Sequence, residues 1–128
     1  MNNLKHTVLP IFLATLWISV SEFVRNEFLL KNYWIDHYEK LGLVFPSEPI
    51  NGAIWGLWSL CFALGIYVIA KKFSLLQTAA IAWSMGFLLM WLVTGNMSVL
   101  PFGILVYAVP LSILETFLAT FIIKKLSK

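Results

Sequence analysis

The sequence predicts an all-α integral membrane protein, a four-helix bundle with a short interfacial helix in its first loop. Three observations carry this reading. Of 128 residues, 60% are hydrophobic and 12% charged, with a mean hydropathy of +0.85, whereas a typical globular domain has about 45–50% apolar and about 25% charged residues. Four apolar runs, about 8–29, 50–70, 73–94 and 100–123, each approach or exceed the roughly 20 helical residues needed to cross ~30 Å of hydrocarbon. Lysines cluster at the ends of those runs, as they do at membrane boundaries. Residues 1–128 read as one membrane domain.

The first span tolerates Pro10 because a first-turn proline lacks only a donor that would have had no intrahelical partner. Lys5, the run from Val8 and Ser19-Val20-Ser21 have the layout of a secretory signal peptide, a reading placed below a retained first span. The outer loop, about 31–49, carries Tyr33, Trp34 and Tyr38, rings suited to the headgroup region. Leu41, Leu43, Val44 and Phe45 are too apolar for a freely solvated loop, so a short helix at the interface is expected, followed by a Pro46 and Pro49 turn. Asn51 is the expected cap of the second span, and Lys71-Lys72 its stop. Gly52, Gly56, Ser59 and Ala63 recur at steps of four, three and four, a smooth face for close helix approach. Trp55 and Trp58 read as belt residues. The third span repeats the device with Ala79, Ala82 and Gly86, and Gly95-Asn96 turns the chain into the fourth, which Pro101 opens and Lys124-Lys125 closes.

With four spans, Lys5, Lys71, Lys72, Lys124, Lys125 and Lys128 share one side. Arg25, Lys31 and Lys40 fall on the other with Glu27, Asp36, Glu39 and Glu48. The positive-inside rule then puts both termini in the cytoplasm and the aromatic loop outside, in a multi-pass protein of the plasma or inner membrane. The net charge of +3 is explained by topology, so nucleic acid is not an expected partner. Cys61 is the sole cysteine, which excludes paired-thiol chemistry within one chain.

Candidate chemistry rests on two carboxyls. Thr15, Ser19, Glu22 and Asn26 share one face of the first span, and in lipid such a polar stripe is expected to turn inward. Glu115 sits in the fourth span on a face with Ala108, Ser112 and Ala119, with Thr116 beside it. A charge at a helix centre costs ~2.5–3.5 kcal/mol, so Glu115 must carry a proton, accept hydrogen bonds, meet a cation or be wetted. Its plainest role is to lock helices together; binding a proton or cation is the second reading, and catalysis the third. Helical rise puts Glu115 roughly 12 Å and Glu22 roughly 21 Å from the cytoplasmic end, a separation near 9 Å that lets them line one route in series but not share one ion. Glu22 and Arg25 can pair at i, i+3. Arg25 is otherwise expected to snorkel to outer headgroups or bind an anion or lipid headgroup.

Asp36, His37 and Glu39 contain a single histidine and no metal-site spacing, and His6 reads as a surface residue; neither a metal nor any cofactor is expected. No phosphate loop or nucleophile elbow occurs, so an enzyme is disfavoured.

In size, span count and first-span glutamate the chain is similar in layout to small multidrug resistance transporters. It departs from them in its long aromatic loop and in placing Ile54-Trp55-Gly56 in the second span, so no functional residue is carried over from that family. The patterns of four-span glutathione-transferase-like enzymes and of fluoride channels are absent. The expected function is therefore a small transporter or channel-like protein for a proton, cation or hydrophobic solute, lined by Ser19, Glu22, Asn26, Ser112 and Glu115. The alternative is a membrane scaffold or accessory subunit, and the third reading a lipid- or quinone-binding protein. The expected partners are the lipid bilayer and a second copy of the chain or another membrane protein.

Overall fold

The computed structural model describes residues 3–128, which contain helices and no strand. Four helices are long and apolar enough to cross a membrane: α1 (Leu4–Leu29), α3 (Pro49–Ala70), α4 (Leu75–Asn96) and α5 (Phe102–Leu126). The short helix α2 (Lys31–Lys40) follows α1 directly. The length and composition of the four are those of a multi-pass membrane protein.

The boundaries follow local chemistry. α1 starts at Leu4 rather than near residue 8, because a π turn over Leu4–Val8 precedes Pro10, whose missing N–H interrupts the regular ladder. α3 is capped by Glu48, with Pro49 in the first turn; Asn51, the expected cap, instead closes the box by accepting from the Glu48 N–H at 3.0 Å. Ser74 caps α4 and accepts from the Gln77 N–H, and Gln77 Oε1 accepts from the Ser74 N–H. Beyond α4, Ser98 is held at φ 64°, and its carbonyl accepts a 2.8 Å bond from His37 Nε2 that ties α2 to the α4–α5 turn.

α5 is the central helix. Within its apolar window 39% of residues are buried, against 22% in each of the others, and it packs on α1, α3 and α4. α3 also touches α1 and α4, so α1 and α4 flank the α3–α5 pair. The inward face of α5 is Ala108, Ser112, Glu115, Thr116, Ala119, Thr120 and Ile123, small enough for neighbours to come close. Lys124 Nζ donates to the Ala70 and Phe73 carbonyls at 2.9 and 2.8 Å, closing the end of α3 against α5.

Two apolar clusters stack along the bundle. One joins Ala14, Ile18, Ala63, Ile66, Ala119 and Ile123 in the half nearer the lysine-rich end. The other joins Leu30, Phe87, Trp91, Leu100, Ile104 and Ala108 nearer the loop end. In lipid the gain from such clusters is dispersion and close fit rather than removal from water. The fit is tightest at Gly86, where an added Cβ would stand 2.6 Å from the Phe62 ring.

Two packing expectations are corrected. Gly52 and Gly56 have open space where a Cβ would be, and only Ser59 and Ala63 of that face are buried. Trp58 is not an outward belt residue, because it stacks on Phe62 at 5.0 Å and meets Phe87 edge-on at 5.7 Å.

Candidate functional site

Between the two apolar clusters lie the charged side chains Glu22, Arg25 and Glu115. Glu115 is 0% exposed, Glu22 4% and Arg25 5%. Arg25 Nη2 is 2.6 Å from Glu22 Oε1, and Arg25 Nη1 donates to Glu115 Oε1 at 3.4 Å. The guanidinium also lies over the Phe87 ring, 5.2 Å from its centre.

Helix direction explains how residues at different depths meet. α1 and α5 are antiparallel, since His6 bonds the Leu126 carbonyl at 3.2 Å and Trp17 Nε1 donates to the Glu115 carbonyl at 2.9 Å. Glu22 is thus about five residues, roughly 7.5 Å, beyond the level of Glu115. Each Cα–Cβ bond tilts toward the N-terminus of its own helix. In an antiparallel pair these tilts bring Glu22 and Glu115 toward each other, and Arg25, one turn on, reaches back between them. The expectation that the two acids cannot share one ion is therefore corrected: one guanidinium contacts both. Arg25 likewise does not snorkel outward to headgroups, because two buried carboxylates hold it inside.

Both cationic contacts lie on irregular helix. Arg25 belongs to a π segment, Val24–Leu29, and Phe87 to another, Ser84–Leu88. π turns widen a helix locally and recur at functional sites.

Hydrogen bonds extend the site toward the loop end. Asn26 Nδ2 donates to Glu22 Oε2 at 3.1 Å, and Trp34 Nε1 on α2 donates to Asn26 Oδ1 at 3.2 Å. Toward the lysine-rich end, Thr116 Oγ1 donates to the Ser112 carbonyl at 2.9 Å and Thr120 Oγ1 to the Thr116 carbonyl at 2.8 Å. Both threonines are fully buried. Ser112 Oγ accepts from Trp83 Nε1 at 2.9 Å, pinning α4 to α5.

The site is short of positive charge. Two carboxylates against one guanidinium sum to a single negative charge, in surroundings where an uncompensated charge is costly. Among the described residues, Glu115 Oε2 is buried without a hydrogen-bond partner. One proton on the Glu115 carboxyl neutralises the cluster and makes that oxygen a donor.

Of the expected site residues, Glu22, Asn26, Arg25, Ser112 and Glu115 lie in or beside this cluster. Ser19 does not, and is half-buried. The inward stripe of α1 is Pro10, Ala14, Ile18, Glu22 and Arg25, so of the expected Thr15–Ser19–Glu22–Asn26 face only Glu22 is buried, and the other three are half-buried at its side. Thr15 is no guide to the interior because its hydroxyl is satisfied by the Ile11 carbonyl at 2.7 Å. Trp17, Trp34, Trp83, Phe87 and Thr120 were not legible as parts of the site. For Thr120 the step of four from Thr116 was the available signal.

Among the described residues no three His, Cys, Asp or Glu side chains converge as a metal would require. Compared with known proteins, the chain matches no family model, no curated protein and no solved structure.

Proposed function

We propose that this chain is a small proton-passing membrane protein in which Glu22, Arg25 and Glu115 form the group that takes up and releases the proton. The observation that carries the reading is the charge deficit, with Glu115 Oε2 lacking a partner in a fully buried position. With one proton the cluster is neutral; without it the cluster is an anion, and the equilibrium position of Arg25 between its two partners changes with that charge. Arg25 sits on a π segment, a widened turn of the kind that recurs at functional sites. Asn26 and Trp34 form the loop-side approach; toward the lysine-rich end the fully buried Thr116 and Thr120 are the polar side chains of α5 next to the cluster, with their hydroxyls bonded to their own helix. Packed apolar clusters on both sides leave no room for a larger solute, which would need a cavity shared with a second copy.

The same reading places α2 at the membrane interface by its aromatic side chains. It puts both termini in the cytoplasm by the lysine asymmetry, in the plasma or inner membrane. A C-terminal reporter active only in the cytoplasm checks the orientation.

The test is proton flux into proteoliposomes, read with an internal pH dye under an imposed potential. Wild type is expected to acidify the lumen and Glu115→Gln to fold without doing so. Absence of wild-type flux, or unchanged flux in Glu115→Gln, overturns the proposal. The indole bonds from Trp17 to α5 and from Trp83 to Ser112 favour a second reading, a scaffold whose polar groups only lock helices. On that reading flux is absent and the triad variants change stability alone.

A further inference from the structure

The stripe of α3 beside its buried face reads Leu57, Leu60, Leu64 and Tyr67 and continues to Lys71 at the helix end, at steps of three, four, three and four. Its first three residues form, with Val8 and Phe12 of α1, the walls of an open apolar groove of about 590 Å³. Such a volume lies within the range of ~300–1,000 Å³ typical of ligand clefts. Its last two residues line a separate pocket of about 260 Å³ with Lys124, Ser127 and Lys128 of the α5 end. Hydrocarbon walls and a cationic pocket thus follow one another along one helix face, with the Tyr67 ring between them.

We propose that this face binds one anionic phospholipid, with an acyl chain along the groove and the phosphate among Lys71, Lys124 and Lys128. Length agrees: Leu57 to Lys71 spans roughly 21 Å of helix, and one leaflet with its headgroup layer is ~20–22 Å thick. Charge agrees as well. The Asp and Glu side chains are either in the buried cluster or at the loop end, so no side-chain carboxylate competes for these lysines. Lys124 is held in place by the Ala70 and Phe73 carbonyls. Lys71 Nζ rests over the Tyr67 ring, 4.6 Å from its centre, a cation–π contact that a phosphate can replace or share. The Tyr67 hydroxyl, 3.1 Å from Thr7 Oγ1, adds a polar group where ester oxygens would lie. Basic pockets between membrane helices recognise headgroups in this way.

The test is native mass spectrometry of the purified protein with added dioleoyl phosphatidylglycerol, dioleoyl phosphatidylcholine or glycerol phosphate. One phosphatidylglycerol is expected to bind more tightly than phosphatidylcholine. Lys71→Gln with Lys128→Gln is expected to weaken it by about 25-fold, about fivefold for each lysine, and to leave phosphatidylcholine unchanged. Leu64→Trp, which fills the groove and leaves the charges alone, is expected to weaken both lipids. Equal affinity for the two lipids, wild-type affinity in the double variant, no effect of Leu64→Trp, or displacement by glycerol phosphate at lipid-like concentration each overturns the proposal. None of these substitutions touches Glu22, Arg25 or Glu115, so the outcome is independent of the proton reading.

Discussion

Replacing Arg25 by Met removes the cation that lies between two buried acids, Glu22 at 2.6 Å and Glu115 at 3.4 Å. Breaking a buried ion pair from one side costs about 3–5 kcal/mol, because the partner is left uncompensated. The lost contact with Phe87 lies within that range rather than adding a second full increment. Replacing all three groups, as Glu22→Leu, Arg25→Met and Glu115→Leu together, leaves no charge to compensate. The triple variant is therefore expected to recover to within about 1 kcal/mol of wild type or to exceed it. Glu115→Gln alone is expected to cost less than about 1 kcal/mol, since under the proposed charge balance it substitutes one neutral group for another. Unfolding equilibria in mixed micelles, with helicity as the readout, measure all three. A triple variant as unstable as Arg25→Met, or a Glu115→Gln cost equal to that of Arg25→Met, would refute the charge-balance reasoning. Proton flux on the triple variant then separates function from folding, because a stable bundle without the site is expected to be silent.

Three other perturbations probe the frame around the site. Gly86→Ala puts a Cβ 2.6 Å from the Phe62 ring and is expected to destabilise the bundle by about 1–3 kcal/mol, with relief in a Phe62→Leu background. Trp83→Phe deletes the indole donor to Ser112 Oγ, and a loss of about 0.6–1.5 kcal/mol is expected in the same micelle assay. Ser98→Gly frees a residue held at φ 64° and is expected to stabilise by up to about 1 kcal/mol; a loss of stability there would mean that the serine side chain contributes more than its backbone strain costs.

What the sequence makes legible depends on whether a side chain's neighbours are near it in the chain. The inward face of α5 was readable because Ala108, Ser112, Glu115 and Ala119 repeat at helical steps and nothing bulky intervenes on that face. Four spans were readable from run length alone. Arg25 is not legible as an interior residue because hydropathy assigns a charge near a span's end to the headgroups, while its burial depends on Glu115, ninety residues away. The inward stripe of α1 is hidden in the sequence for a related reason. Thr15 can satisfy its hydroxyl on its own helix, so polarity there does not mark the interior, whereas Ala14 and Ile18 pack against the core. Trp58 shows the same limit, since its inward orientation is set by Phe62 and by Phe87 on another helix.

The central claim is that two buried acids and one buried base hold a single exchangeable proton. Infrared spectroscopy of the protein in bilayers at neutral pH addresses it directly, through the carbonyl band of a protonated carboxylic acid and its shift on exchange into heavy water. The account predicts one such band per chain, abolished in Glu115→Gln and retained in Glu27→Gln at the loop end. A wild-type spectrum without the band, or a band that survives Glu115→Gln undiminished, would contradict it.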